Sequence, residues 1–311
     1  MIELTRPRPL EPGGHIAVVG ASSSATPERT GRAAAWLKEK GFRVTLAENL
    51  FVRERSYLAG PDEFRAEELN RFLRDPSIDA FFFSRGGYGA MRILDRLDWD
   101  ALESNPRPVV GYSDVTALHQ AAATRAGVVG FHGPMLEFDL SDGLSPDREA
   151  WLWAILGGKS PNRWQIEEDQ VLSGGRAEGV IFGGCLSLTM ALIGTKWDFW
   201  IDDGIWFWEE VGEPVYRIDR MLTHLRLSGR LARLRAVMIG ELKDCGDRDP
   251  EELDLLLNEF FGNRGIPVLR DLPFGHRGNN LALPIGVPVI IDSANGTVTF
   301  PQPATMEVSS G

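Results

Sequence analysis

The sequence predicts an α/β protein in two parts. Residues 1–160 read as a parallel sheet covered by helices, and residues 161–311 as a mixed α/β domain. Three observations carry this. Short apolar runs alternate with helical patterns through the first half, as parallel strands joined by helical crossovers do. The chain has 311 residues, more than one core usually organises and enough for two. Between positions 140 and 175 the alternation weakens into Ser-Pro, Gly-Gly and acidic segments that read as a domain connection.

In the first half the strand-like runs lie at 15–20, 42–46, 78–83, 108–112 and 127–131, with helical patterns around 28–40, 63–74, 88–97 and 114–126. Such a sheet binds ligands at the carboxyl ends of its strands, so the loops after residues 20, 83, 112 and 131 share one rim. The second half offers runs at 179–183, 204–208, 236–240 and 267–269 and helical patterns near 185–193, 215–228 and 250–261. A final pair, 287–291 and 297–300, flanks Asn-Gly, a strong short hairpin signal.

Composition removes several classes of function. With 43% hydrophobic and 25% charged residues the chain is globular, not disordered. A formal charge of -11 argues against a broad phosphate-binding surface, so no nucleic-acid partner is expected. No apolar stretch is long enough to span a bilayer, and the opening segment is broken by charges and prolines, so no membrane is expected and the location is read as cytoplasmic. Two cysteines, Cys185 and Cys245, and five scattered histidines make neither a disulfide scaffold nor a metal set, and no metal or other cofactor is expected. The loop after Gly20 lacks the further glycines of a dinucleotide site. Gly158-Lys159-Ser160 has Trp153 where a phosphate-binding loop needs glycine.

Two motifs on the predicted rim point to acyl chemistry. Gly111-Tyr112-Ser113-Asp114-Val115 joins a strand to a helix, so Ser113 occupies a sharp turn that exposes Oγ beside free backbone N–H groups. The plainer reading is a helix cap, and Val115 stands where the hydrolase elbow has glycine. Ser84-Arg85-Gly86-Gly87-Tyr88-Gly89 follows the strand ending at Phe83, where Gly86 or Gly87 can bring a second N–H to an oxyanion. Alone it is an ordinary tight turn; beside Ser113 it gains weight.

A serine nucleophile needs a base, and the base an orienting carboxylate. His119 and His224 lie in helical patterns and read as structural. His132, on the rim, and His276, in a loop rich in glycine and asparagine, stay open by position alone. For the carboxylate, Glu209, Glu210 and Glu213 cluster near Trp197, Trp200, Trp206 and Trp208, whose rings would partly desolvate it. The alternative is that the rings form core or a subunit contact and the glutamates cap the next helix.

These segments, with His132-Gly133-Pro134, the stretch from Glu209 to Leu222 and Pro273-Phe274-Gly275-His276, resemble the L,D-carboxypeptidases of the murein tetrapeptide carboxypeptidase family, to which the microcin C immunity peptidases also belong. The likeness runs from about residue 14 to residue 300. It implies a cytoplasmic serine peptidase, commonly a homodimer, with its active site between an N-terminal α/β domain and a C-terminal mixed domain. Ser113 matches the nucleophile and His276 the base. Glu209 best matches the carboxylate, with Glu210 and Glu213 still open. The N–H groups of Asp114 and of the Gly86-Gly87 turn match the oxyanion donors.

The implied reaction releases D-alanine from the L-centre of a diamino acid in murein tetrapeptides, for peptidoglycan recycling. Arg85, Arg217 and Arg277 are candidates for the substrate's terminal carboxylate. One rival is a peptidase of microcin-like peptidyl adenylates, with the tryptophans stacking a base; another is a muropeptide-binding protein without catalysis. One departure is Cys185, which stands where the family usually has asparagine.

Overall fold

Apolar runs at 16–19, 80–83 and 109–111 are fully or almost fully buried, and they become the centre of a sheet. The computed structural model describes residues 3–160, 162–246, 250–278 and 280–307. Pro161, at the expected domain connection, and Asn279, in the His276 loop, lie outside the described residues. Strands β1 (His15–Val19), β2 (Arg43–Leu46), β3 (Ala80–Phe83), β4 (Val109–Gly111) and β5 (Gly130–His132) are parallel, in the order β2-β1-β3-β4-β5. The strand order reverses between β1 and β3, which opens a crevice at their carboxyl ends. Helices cover the sheet through one apolar face each. The helix Asp62–Arg74, for example, buries Ala66, Leu69, Phe72 and Leu73.

The second sheet draws on β6 (Asn162–Gln165), β7 (Val171–Ser173), β8 (Arg176–Cys185), β9 (Ile205–Val211), β10 (Ala236–Lys243) and β11 (Val268–Leu269). The next strand, β12 (Leu283–Ile285), crosses back to the first sheet and pairs antiparallel with β5. The expected hairpin, β13 (Pro288–Asp292) and β14 (Thr297–Phe300), closes the second sheet, whose order is β6-β14-β13-β8-β9-β10-β11-β7. Strands β8 to β11 are parallel, so they too carry a rim of carboxyl ends. The architecture is α/β with two sheets, the second of mixed direction. Among the described residues no helix is long and apolar enough to cross a membrane.

Two glycines allow close approaches at the end of β8. Gly183 and Gly184, near the end of β8, both have φ of 145°, a region that side-chain-bearing residues rarely enter. A Cβ on Gly183 would lie 1.7 Å from the Phe207 carbonyl oxygen; one on Gly184 would lie 2.6 Å from the Thr116 side chain. Thr116 begins the helix that follows Ser113, and its Oγ1 accepts a hydrogen bond from the Cys185 N–H at 3.0 Å. Gly183 therefore lets β8 lie close against β9, and Gly184 lets the end of β8 reach the helix that follows Ser113. Gly183→Ala is expected to cost about 2–6 kcal/mol, the sum of backbone strain and overpacking, measured by urea unfolding.

Candidate active site

Ser113 follows the carboxyl end of β4 with φ of 61°, one of few non-glycine residues in the left-handed region. That strain turns the side chain out of the sheet at the start of a helical segment. Its Oγ lies 3.0 Å from Nε2 of His276. On the other side of the ring, Nδ1 lies 2.6 Å from Oε2 of Glu209. Hydroxyl, imidazole and carboxylate thus form one chain of hydrogen bonds, with 163 residues of sequence between Ser113 and His276.

The second sheet supplies two of these groups from its rim. Glu209 sits near the end of β9, and His276 in the loop after β11. Alternation along β9 settles which glutamate faces the imidazole. Glu209 shares its face with Phe207, is fully buried, and spends one oxygen on His276. Glu210 faces the other way, where it accepts from the backbone N–H groups of Ser187 at 2.7 Å and Val211 at 2.9 Å. Glu213 pairs instead with Arg217 at 3.2 Å.

Gly275, at φ of 116°, lets the loop come close: a Cβ there would lie 2.9 Å from the Glu209 Cβ. Asn280 accepts from the Gly275 N–H at 3.0 Å and fixes the turn. The Tyr112 ring stands edge-on to the imidazole at 5.0 Å. Burial alone would pull the His276 imidazole down. The charge and hydrogen bond of Glu209 outweigh it and hold the pKa above the ordinary histidine value.

The glycine turn lies against Ser113. A Cβ on Gly86 would stand 2.9 Å from Ser113 Oγ and 3.5 Å from the Asp114 nitrogen. The Gly86 carbonyl accepts from the Ser23 N–H at 3.3 Å. A trans peptide points its N–H opposite to its carbonyl, so the Gly87 N–H is directed away from the Ser23 N–H, and Gly87 lines the cleft.

The Asp114 side chain is buried beneath this turn, accepting from Ser22 Oγ at 2.6 Å and from the Ala90 N–H at 2.8 Å. Burial raises its pKa. It joins the loops after β1, β3 and β4. Buried Arg65 adds a second tie, donating to the carbonyls of Ala21 and Gly89.

The remaining candidates fall elsewhere. His132 is fully buried on β5 among Tyr112, Phe207 and Phe274, its two ring nitrogens without a partner among the described residues. Burial drives its pKa well down. Arg85 lines the cleft, with Nη1 3.5 Å from Glu137 and 3.2 Å from the Ser24 carbonyl. Arg277 also lines it, whereas Arg217 lies on the helix Val215–Leu227 and is not brought in.

The tryptophans do not surround the carboxylate. Trp206 and Trp208 point to the face of β9 opposite Glu209 and are completely buried, stacked on each other at 5.7 Å. None of Trp197, Trp200, Trp206 and Trp208 lines the cleft beside Ser113. Cys185 is buried next to Glu210, and burial raises its pKa.

Sequence reasoning passed over Tyr112, Asp139 and Lys243 as groups of the cleft. Lys243 was within reach: it ends the β10 run, three residues beyond the apolar stretch at 236–240. Asp139 is buried where Tyr112 and the cleft meet, and burial pushes its carboxyl up to about 7. The cleft itself measures about 440 Å³. A larger hollow of about 810 Å³, at the other end of β8 and β9, is walled by Arg-Asp pairs and holds none of these groups.

The LD-carboxypeptidase N-terminal domain matches residues 16–133, and the LD-carboxypeptidase C-terminal domain matches residues 178–291. The chain is similar to a putative carboxypeptidase of Streptomyces coelicolor, 39% identical over 98% of each chain. It is also similar to the murein tetrapeptide carboxypeptidase of Pseudomonas aeruginosa, 31% identical over 90% of this chain and 93% of that one. The Escherichia coli microcin C7 self-immunity protein is 28% identical over 94% of each chain. A solved structure of a microcin C7 self-immunity protein superposes with a TM-score of 0.87 at 25% identity, covering 97% of this chain and 99% of its own. The chain belongs to the LD-carboxypeptidase family of peptidases.

Proposed function

We propose that this protein is a serine L,D-carboxypeptidase that removes the terminal D-alanine of murein tetrapeptides, cutting at the L-centre of the diamino acid. The observation that carries the reading is the unbroken relay from Ser113 through His276 to Glu209, at 3.0 and 2.6 Å. In the productive tautomer Nδ1–H of His276 donates to Glu209, leaving Nε2 to take the Ser113 proton. Oγ attacks the peptide carbonyl, and the developing oxyanion is received by the N–H groups of Asp114 and of the Gly86-Gly87 turn. The imidazolium, held by buried Glu209, returns its proton to the departing D-alanine nitrogen. Water then enters by the same base catalysis and frees the shortened peptide.

A chain of two domains, 1–160 and 161–311, acting as a cytoplasmic homodimer of two such chains, completes the reading, and the work is peptidoglycan recycling. The name of the Pseudomonas aeruginosa relative supports the substrate. The rival substrate, a peptidyl adenylate, loses its structural argument because the tryptophans meant to stack its base lie outside the cleft. The test is mass spectrometry of a defined tetrapeptide and a peptidyl adenylate analogue incubated separately with the protein. Free D-alanine from the first is expected. Turnover of the adenylate alone would overturn the substrate assignment, and turnover of neither would overturn the enzymatic reading.

A further inference from the structure

A carboxypeptidase differs from other peptidases in accepting a free carboxylate on the leaving residue. Its cleft therefore needs a cation that no protein carboxylate has already engaged. Of the cations considered, Arg85 is held by Glu137 and lies over the Phe138 ring, and Arg217 is paired with Glu213 away from the cleft. Lys243 and Arg277 remain. Both line the cleft with Ser113 and His276, and neither side chain has a hydrogen bond or ion pair with a described residue.

Between these two, the fold favours Lys243. It closes β10 directly beside Val211 of β9, so it stands on the same strand ends that present Glu209. Rigid strand ends hold a side chain more closely than a loop does. Arg277 sits in the His276 loop and shares its field with Arg148. Lys243 lines the cleft together with Ser113, His276 and Asp139. Asp244 lies next to it on the rim and forms no ion pair with it.

We infer that the Lys243 ammonium receives the carboxylate of the leaving residue and so makes the enzyme specific for a C-terminal amino acid. The inference rests on the carboxypeptidase reading and adds a residue to it. A charge-assisted contact of this kind is usually lost at a cost of roughly 10- to 100-fold in kcat/KM.

The test compares a tetrapeptide ending in free D-alanine with the same peptide ending in D-alaninamide. The wild-type protein, Lys243→Gln and Lys243→Arg are assayed side by side. Lys243→Gln is expected to lose roughly 10- to 100-fold on the free acid, mainly through KM, and to keep the wild-type rate on the amide. Lys243→Arg is expected to restore most of the preference for the acid. An unchanged preference for the acid in Lys243→Gln, or an equal loss on both peptides, overturns the inference alone. Wild-type protein that cleaves neither peptide overturns the carboxypeptidase reading and the inference with it.

Discussion

Ser113→Ala is expected to lower kcat for D-alanine release by about 10⁴- to 10⁶-fold while leaving KM within a few fold of wild type. In the proposed mechanism the hydroxyl is the group that bonds to the substrate carbonyl, so its removal would leave only the oxyanion donors and binding to lower the barrier. That loss corresponds to roughly 5–8 kcal/mol of transition-state stabilisation. Binding survives because the cleft walls do not depend on Oγ: the Gly86 turn is fixed by Ser23, and Asp114 by Ser22 and Ala90. Steady-state kinetics with D-alanine detection checks both parts. A binding protein without catalysis would show the same residual rate with and without the hydroxyl.

Glu209→Gln is expected to have the second largest effect, and its signature lies in pH. An amide at this position cannot accept from Nδ1 without turning, and its NH₂ group favours the wrong imidazole tautomer, which costs about 10³- to 10⁴-fold in kcat/KM. The acid limb of the rate profile reports deprotonation of His276, because only the neutral ring can take the serine proton. In the wild type Glu209 outweighs burial and holds that pKa above the ordinary histidine value, so activity is expected to rise with pH through a midpoint above that value. With the carboxylate removed, burial prevails, the imidazole loses its proton more readily, and the midpoint moves to lower pH. A kcat/KM profile from pH 4 to 9, taken as a range of about five units around the histidine value, reads the direction of that movement. An unmoved acid limb would mean that Glu209 does not act on His276.

The sequence reveals the first half of this site far better than the second. Ser113 is legible because a strand, a serine and a helix follow one another within a few residues, and the elbow is a local structure. The Gly86-Gly87 turn is legible for the same reason. His276 and Glu209 are brought in by the second sheet, and the contact with Ser113 spans sequence separations that no local pattern encodes.

Adjacent Glu209 and Glu210 look alike in a linear reading, since alternation separates their faces without saying which face meets the imidazole. Here Phe207 and Glu209 turn inward to the relay, and Trp206, Trp208 and Glu210 turn away. Strand β12 escapes notice because three residues, Leu283–Ile285, carry too short a pattern, although they extend the first sheet next to β5. Gly183 and Gly184 read as a family motif in sequence; their positive φ angles and the nearness of Phe207 and Thr116 give the physical reason for them.

The claim on which the rest depends is that Ser113 is a nucleophile activated by His276. A fluorophosphonate probe measures it directly, because phosphonylation requires a serine whose proton a neighbouring base can take. One adduct mapping to Ser113 by peptide mass spectrometry, with parallel loss of D-alanine release and no labelling of His276→Ala, is the predicted result. Full activity in protein completely labelled at Ser113, or an adduct on a different serine with Ser113 unmodified, would contradict it.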